Sequence, residues 1–206
     1  MLLWISAGLV AAGVVCLAFD RRVAHYFHEI RKRTWRQRVR FTTDWAKGAH
    51  WLAIAGVLYG GTQAAMALGY EAPALHRVSD LSAALLVSLA IASAILHTIK
   101  LFIGRRRPRD DFQHGFYGFE LTLFDTQHDS FPSGHSLTIF CVATVLSAAW
   151  PMLAPLWFVI AAYLALTRAM LTSHFLSDVM MGAALGLIVA RETMLLMFPA
   201  LAPAWF

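Results

Sequence analysis

Charged side chains are scarce in this sequence, at 14% of residues where a soluble globular chain carries about 25%. Together with a hydrophobic share of 59% and a mean hydropathy of +0.60, that scarcity excludes an ordinary soluble domain. Cysteine is almost missing. Cys16 and Cys141 both fall inside apolar runs, where a thiol behaves as a small hydrophobe. No disulfide between them is expected, and they carry no information about redox compartment. Low-complexity tracts and internal repeats are also lacking, so a single domain over residues 1–206 is expected. The apolar N-terminus lacks the basic segment of a signal peptide, and Asp20-Arg21-Arg22 follows it without a small-residue cleavage site. Residues 2–19 are therefore read as a retained first span.

What is present is a series of apolar runs, at 2–19, 50–69, 81–103, 135–150, 154–172 and 179–198. A hydrocarbon core of about 30 Å takes roughly 20 helical residues to cross. The expected fold is all-α: a polytopic membrane protein of about six transmembrane helices, the first and fourth short for a full crossing. Gly182 and Gly186, four apart, would let two helices approach closely. The connection 20–49 carries Arg21, Arg22, Arg31, Lys32, Arg33, Arg36, Arg38, Arg40 and Lys47 among Val, Tyr, Phe, Ile and Trp. That mixture predicts an amphipathic helix lying in the membrane interface between the first two spans. The net charge of +5 sits beside membrane segments and not on a base-stacking surface, so membrane lipids of anionic charge, and no nucleic acid, are the expected partners.

Three polar clusters stand at the mouths of the apolar runs: Lys100 with Arg107-Pro108, then Pro132-Ser133-Gly134-His135, then Arg168 with His174 and Asp178. Counting spans puts all three on the same side of a bilayer. Lys offers a compact charge and Arg a planar fork of donors, a pair suited to phosphate oxygens, although a basic helix end snorkelling to headgroups reads similarly, and Arg105, Arg106 and Arg109 fit that description. Ser133 can cap the following helix, whose first N–H groups make an anion site that Gly134 lets a ligand approach. His135 is placed to pass a proton near neutral pH. His174 and Asp178 share a helix face at four residues' separation, so the carboxylate could hold one ring nitrogen and leave the other as a nucleophile. A metal pair or a polar helix contact is the alternative. A metal site would need three or four ligands, and no further His, Cys or Glu stands at suitable spacing.

In order and spacing these clusters resemble the three signature motifs of the type-2 phosphatidic-acid phosphatase superfamily, the lipid phosphate phosphatases. Lys100, six intervening residues and Arg107-Pro108 match the first, residues 132–135 the second, and Arg168, His174 and Asp178 the third, with Thr167 in place of a leading Ser. The resemblance implies an integral-membrane enzyme in which His174 attacks phosphorus, Asp178 holds its ring and His135 serves the leaving group and then water. It also implies that Lys100, Arg107, Ser133, Gly134 and Arg168 bind phosphate, and that neither metal nor cofactor takes part. A phosphorylated lipid is the implied substrate: undecaprenyl pyrophosphate, phosphatidylglycerol phosphate, phosphatidic acid or a lipid A phosphate. A lipid phosphotransferase, or a non-catalytic lipid-binding protein, would share the fold.

Two readings of the membrane face compete. The basic connection 20–49 would place the site in the cytoplasm by the positive-inside rule. Bacterial relatives of this span order resemble proteins whose site faces outward, and basic residues that attract anionic lipid explain the same bias, so the expectation is a bacterial inner-membrane protein with an extracytoplasmic site. His97, one turn before Lys100, is expected to pack between helices. Asp110, Asp111, Asp125, His128 and Asp129 are expected to be solvated or engaged with arginines, and Arg191-Glu192 to form a structural ion pair deep in the last run.

Overall fold

The computed structural model describes residues 1–30, 33–121 and 129–206, the side chains of 33 and 34 excepted. It is mostly helical. In chain order the elements are α1 (Leu2–Cys16), α2 (Asp20–Ile30), α3 (Arg33–Thr43), α4 (Gly48–Ala67), α5 (Pro73–Phe102), β1 (Gly104–Arg105), α6 (Pro108–His114), β2 (Phe119–Glu120), α7 (Gly134–Ala149), α8 (Ala154–Met170) and α9 (Leu176–Met197). Short 3-10 turns at Asp44–Ala46 and Pro151–Leu153 precede α4 and α8.

The six apolar runs are all helices, with bounds close to those expected except in α5. That helix starts at Pro73, whose fixed φ suits a first turn. Arg77 and Asp80 lie on it and do not end it. At 30 residues it extends for about 45 Å, more than a bilayer core. Among the described residues, three helical segments are long and apolar enough to cross a membrane: α5, Pro151–Met170 and α9. A fourth is added if α1 and α2, bent by 80° at their junction, count as one broken span. α4 has 20 residues, yet its Gly, Gln, Thr and His residues leave it less apolar, and α7 has only 16. In the connection 20–49, α2 and α3 lie on either side of residues 31 and 32, which are outside the described residues. α2 packs on α6, α8 and α9, and α3 on α8.

α7 is the most enclosed helix, touched by α4, α5, α8 and α9. Its contact with α9 depends on the two glycines named from the sequence. A Cβ at Gly182 would stand 2.3 Å from the Ser133 carbonyl oxygen, and one at Gly186 2.4 Å from that of Leu137. No side chain fits in such gaps, so the first turn of α7 lies against the backbone of α9. In the loop after α5, β1 pairs antiparallel with β2 through Gly104–Glu120 and Arg105–Phe119, and Arg105 also bridges to Asp129. This ribbon carries the segment before α7 back to the end of α5. In α9, Arg191 and Glu192 form the expected ion pair, and both cysteines are unbridged.

Candidate active site

Lys100 lies in the last turn of α5, and its Nζ donates to the backbone carbonyl of Asp129. Arg107, in the N-cap position of α6, donates from Nε and Nη2 to the two carboxylate oxygens of Asp129 at 2.8 and 2.9 Å. This is the two-pronged geometry in which a guanidinium also holds phosphate. Burial alone would raise the Asp129 carboxyl, but the hydrogen bonds and charge of Arg107, with Lys100 and Arg109, hold it below the usual range. The cations of the first cluster therefore meet on a single loop residue.

Ser133 caps α7. Its buried Oγ accepts from the Ser136 N–H at 3.4 Å and the Ser136 hydroxyl at 3.0 Å, while its own N–H donates to the Asp178 carbonyl at 3.0 Å. The hydroxyl expected to face phosphate is thus engaged in the cap, which leaves the Gly134 and His135 N–H groups at the start of the helix to face an anion.

The third cluster is shaped by a reversal after α8. Thr172 takes φ +54°, an unfavourable region for a β-branched residue. The turn lets the Ser173 and His174 N–H groups both donate to the Arg168 carbonyl, at 2.9 and 3.3 Å. His174 is 4% exposed, and its Nδ1 lies 2.7 Å from the Ser130 carbonyl oxygen. A carbonyl can only accept, so Nδ1 carries the hydrogen and Nε2 keeps its lone pair. Burial, followed by the charges of Arg168, Arg107 and Lys100, pushes the ring well below the usual histidine range, with the Ser130 carbonyl opposing. His174 is therefore a neutral imidazole with a defined tautomer.

Asp178 does not hold that ring, contrary to the expectation from four-residue spacing. Its Oδ1 accepts from Arg105 at 2.5 Å, and its Oδ2 from the Ser130 hydroxyl at 2.7 Å and the Phe175 N–H at 2.9 Å. The physical reason is the helix start. Asp178 sits at N3 of α9 and reaches back to the N-cap N–H, as an acid does in a capping box, while His174 lies outside the helix. Asp178 acts on His174 through Ser130, which gives its hydroxyl to one and its carbonyl to the other.

Arg105 is the residue that sequence reasoning assigned wrongly. Its sequence context fits a snorkelling arginine, yet it is fully buried. Its Nη1 donates to Asp178 and, at 2.8 Å, to Ser177 Oγ, and its Nη2 donates to Asp20 at 2.8 Å. Asp20 also accepts from the Ser177 N–H at 3.0 Å. The guanidinium lies over the rings of Phe175 and Phe119, with centroids at 4.2 and 4.6 Å, and near Tyr117. Burial disfavours its charge, but Asp178 and Asp20 outweigh that and push its pKa above the usual arginine range. The available signal was Asp20, a carboxylate closing an apolar run, which needs a cation if buried.

A cavity of about 860 Å³ brings one residue of each motif together, with Arg107, His135 and Arg168 in its wall and Ser173, the neighbour of His174, beside them. Arg168 is poorly satisfied there. Its Nη1 reaches Thr43 Oγ1 only at 3.5 Å, and its buried Nε has no partner among the described residues. Thr167, at the family's Ser position, donates to the Leu164 carbonyl and to Thr43 Oγ1, both on the protein side. His97 is exposed, hydrogen-bonded to its own helix at Ser93, and lines a second cleft with Gly134 and His135, so it does not pack between helices as expected. Asp110 and Asp111 are engaged with basic side chains: Asp110 with Arg109, and Asp111 with Arg21 and His25. Asp125 and His128 lie outside the described residues.

All three motifs thus lie at one end of the helices, around a single cavity. Residues 81–201 match the model of the PAP2 superfamily, the type-2 phosphatidic-acid phosphatase family. The chain belongs to this family. It is similar to the lipid A 1-phosphatases of Rhizobium etli and Rhizobium johnstonii, 31% identical to each over 116 residues. Those residues are 56% of this chain and 50% and 47% of the two relatives, so the chain spans about half their length. In fold it is similar to the transmembrane PAP2 type phosphatidylglycerolphosphate phosphatase of Bacillus subtilis, with a TM-score of 0.64, 20% identity and coverage of 91% of this chain and 93% of that one. LpxE of Aquifex aeolicus superposes with a TM-score of 0.58 at 18% identity, over 85% of this chain and 94% of that one.

Proposed function

We propose that this chain is an integral-membrane lipid phosphatase that cleaves a phosphomonoester or pyrophosphate headgroup through a phosphohistidine on His174. The observation that carries this reading is the Ser130 carbonyl on Nδ1, which leaves Nε2 as a neutral nucleophile among three cations. In the first step the Nε2 lone pair attacks phosphorus. The bond from phosphorus to the leaving oxygen breaks, its electrons stay on that oxygen, and His135 supplies the proton. In the second step water attacks the phosphoryl group while His135 takes the water's proton, and the P–N bond electrons return to Nε2. Lys100, Arg107, Arg168 and the Gly134 N–H hold the nonbridging oxygens where charge must be stabilised. Ser133 supports them as the cap of α7. Arg107 and Lys100 exchange Asp129 for the substrate phosphate.

The reading includes six crossings, with α4 and α7 completing the bundle, α2 and α3 at the interface, and the site on the extracytoplasmic face of a bacterial inner membrane. A phosphorylated lipid is favoured as substrate because the cavity lies at the helix ends, beside clefts lined with apolar side chains. One such cleft, between α4, α5 and α7, is lined by Leu52, Leu89 and Leu96 and reaches His135. The test is phosphate release by purified protein from a panel of phosphorylated lipids in mixed micelles. Turnover sensitive to vanadate, insensitive to chelators and lost in His174→Ala supports the reading. Wild-type turnover in that variant would reject it, and phosphorylation of an added acceptor in place of free phosphate would identify a phosphotransferase.

A further inference from the structure

The cavity lined by Arg107, His135 and Arg168 carries more positive charge than one phosphate requires. The charges of Arg107 and Arg168, with that of Lys100, act on the His174 ring. Arg36, Arg40, Lys47 and Arg109 add four cations to the cavity wall, and Asp44 is the single carboxylate there among the described residues. Two of the four are answered locally: Lys47 pairs with Asp44 at 2.9 Å, and Arg109 lies 3.6 Å from Asp110. Arg36 and Arg40 are not. They make no hydrogen bond or ion pair among the described residues, and the charge of Arg40 is felt by both Asp44 and Arg168.

The placement of these two is unfavourable for the protein alone. They are four residues apart on α3, so they share a helix face, where like charges repel. Both are turned to the cavity and both are exposed. Nor does the phosphate to be cleaved fill the space. At about 30 Å³ per water, a cavity of about 860 Å³ holds on the order of thirty waters, far more than one phosphate displaces. The part lined by Arg36, Arg40 and Arg109 remains for the rest of a headgroup.

Building on the lipid-phosphatase reading above, we infer that Arg36 and Arg40 form a subsite for a second anionic group on the same headgroup. The preferred substrate is then a lipid bearing more than one phosphate. The second phosphate either adjoins the cleaved one, as in a pyrophosphate, or sits elsewhere on a larger polar head. Neither arginine belongs to the three motifs, so this subsite sets preference and leaves the chemistry unchanged.

The test compares the wild type with R36Q/R40Q, full chain, in neutral detergent micelles without anionic lipid. The substrates are phosphatidic acid, a prenyl pyrophosphate and a glycolipid with two separated phosphates. The expected result is a fall of about tenfold or more in kcat/KM, through KM, on one or both multiply phosphorylated lipids, with phosphatidic acid changed less than about threefold. Which of the two falls tells whether the second phosphate is adjacent or remote. Equal falls on all three would mean general attraction of headgroups, and no fall would mean an idle surface; either overturns the inference. A binding arm needs no turnover. Where the prenyl pyrophosphate is a lipid that falls, inorganic pyrophosphate should bind the wild type about tenfold more tightly than inorganic phosphate, and R36Q/R40Q should lose that difference. If pyrophosphate shows the difference while no lipid is hydrolysed, the anion subsite stands and the phosphatase reading fails.

Discussion

Arg105 and Arg107 are two residues apart and have opposite surroundings. Arg105 is sealed between Asp20 and Asp178 and stacked on aromatic rings. Arg107 faces the cavity, and among the described residues its side chain holds only Asp129, a loop carboxylate that is itself part-exposed. The first is an anchor: it ties α2 and the loop after α5 to the start of α9, and through Asp178 and Ser130 it sets the ring of His174. The second is a receptor for an anion. Burial and pairing of a cation mark a structural role, and exposure with a replaceable partner marks a ligand-binding one.

The largest effect is expected on the cavity side. His174→Ala should abolish phosphate release and leave the elution profile and melting temperature near wild type; release at the wild-type rate would break the comparison at its centre. On the anchor side, Arg105→Ala leaves two carboxylates buried without their cation. A loss of about 3–5 kcal/mol is expected, read as a large drop in melting temperature or failure to purify. An Arg105→Ala protein that melts like wild type and lacks only activity would move Arg105 into the receptor class. Arg107→Ala and Arg168→Ala should each lower kcat by about 10²–10³-fold with little change in melting.

Gly182→Ala tests the joint between the two regions, because its Cβ would stand 2.3 Å from the Ser133 carbonyl. A destabilisation of about 1–3 kcal/mol is expected together with reduced turnover, since Asp178 and Ser133 move with that contact. The smallest effect is in pH dependence. A histidine of ordinary pKa, about 6.5, would lose half its nucleophilic form at that pH. His174 is held well below its usual range, so its neutral form persists as pH falls past 6.5 and is lost only at more acid pH. The acid limb of kcat/KM, corrected for the measured ionisation of the substrate phosphate, should therefore lie below 6.5. A limb centred at 6.5 would contradict the neutral, carbonyl-held ring.

The sequence disclosed those parts of the site that depend on spacing along the chain. Lys100, Arg107, His135, Arg168 and His174 were recognisable because their motifs are local, and their convergence followed from alternating apolar runs. Gly182 and Gly186 were legible as a close helix contact for the same reason. The partner of His174 was not, because spacing of four suggests a shared helix face and the helix begins only at Leu176. Arg105 was hidden inside Arg105-Arg106-Arg107, where nothing local shows which of three arginines turns inward. That depends on Asp20 and Asp178, 85 and 73 residues away along the chain. The start of α5 was also missed, since Arg77 and Asp80 look like a loop when hydropathy alone is read.

The most direct test of the account is to trap the phosphorylated enzyme. Protein carrying His135→Ala, mixed with radiolabelled lipid phosphate and quenched in base, should retain label on His174 at Nε2, because Nδ1 is committed to the Ser130 carbonyl. Label at Nδ1, label on another residue, or none while phosphate is still released would contradict it.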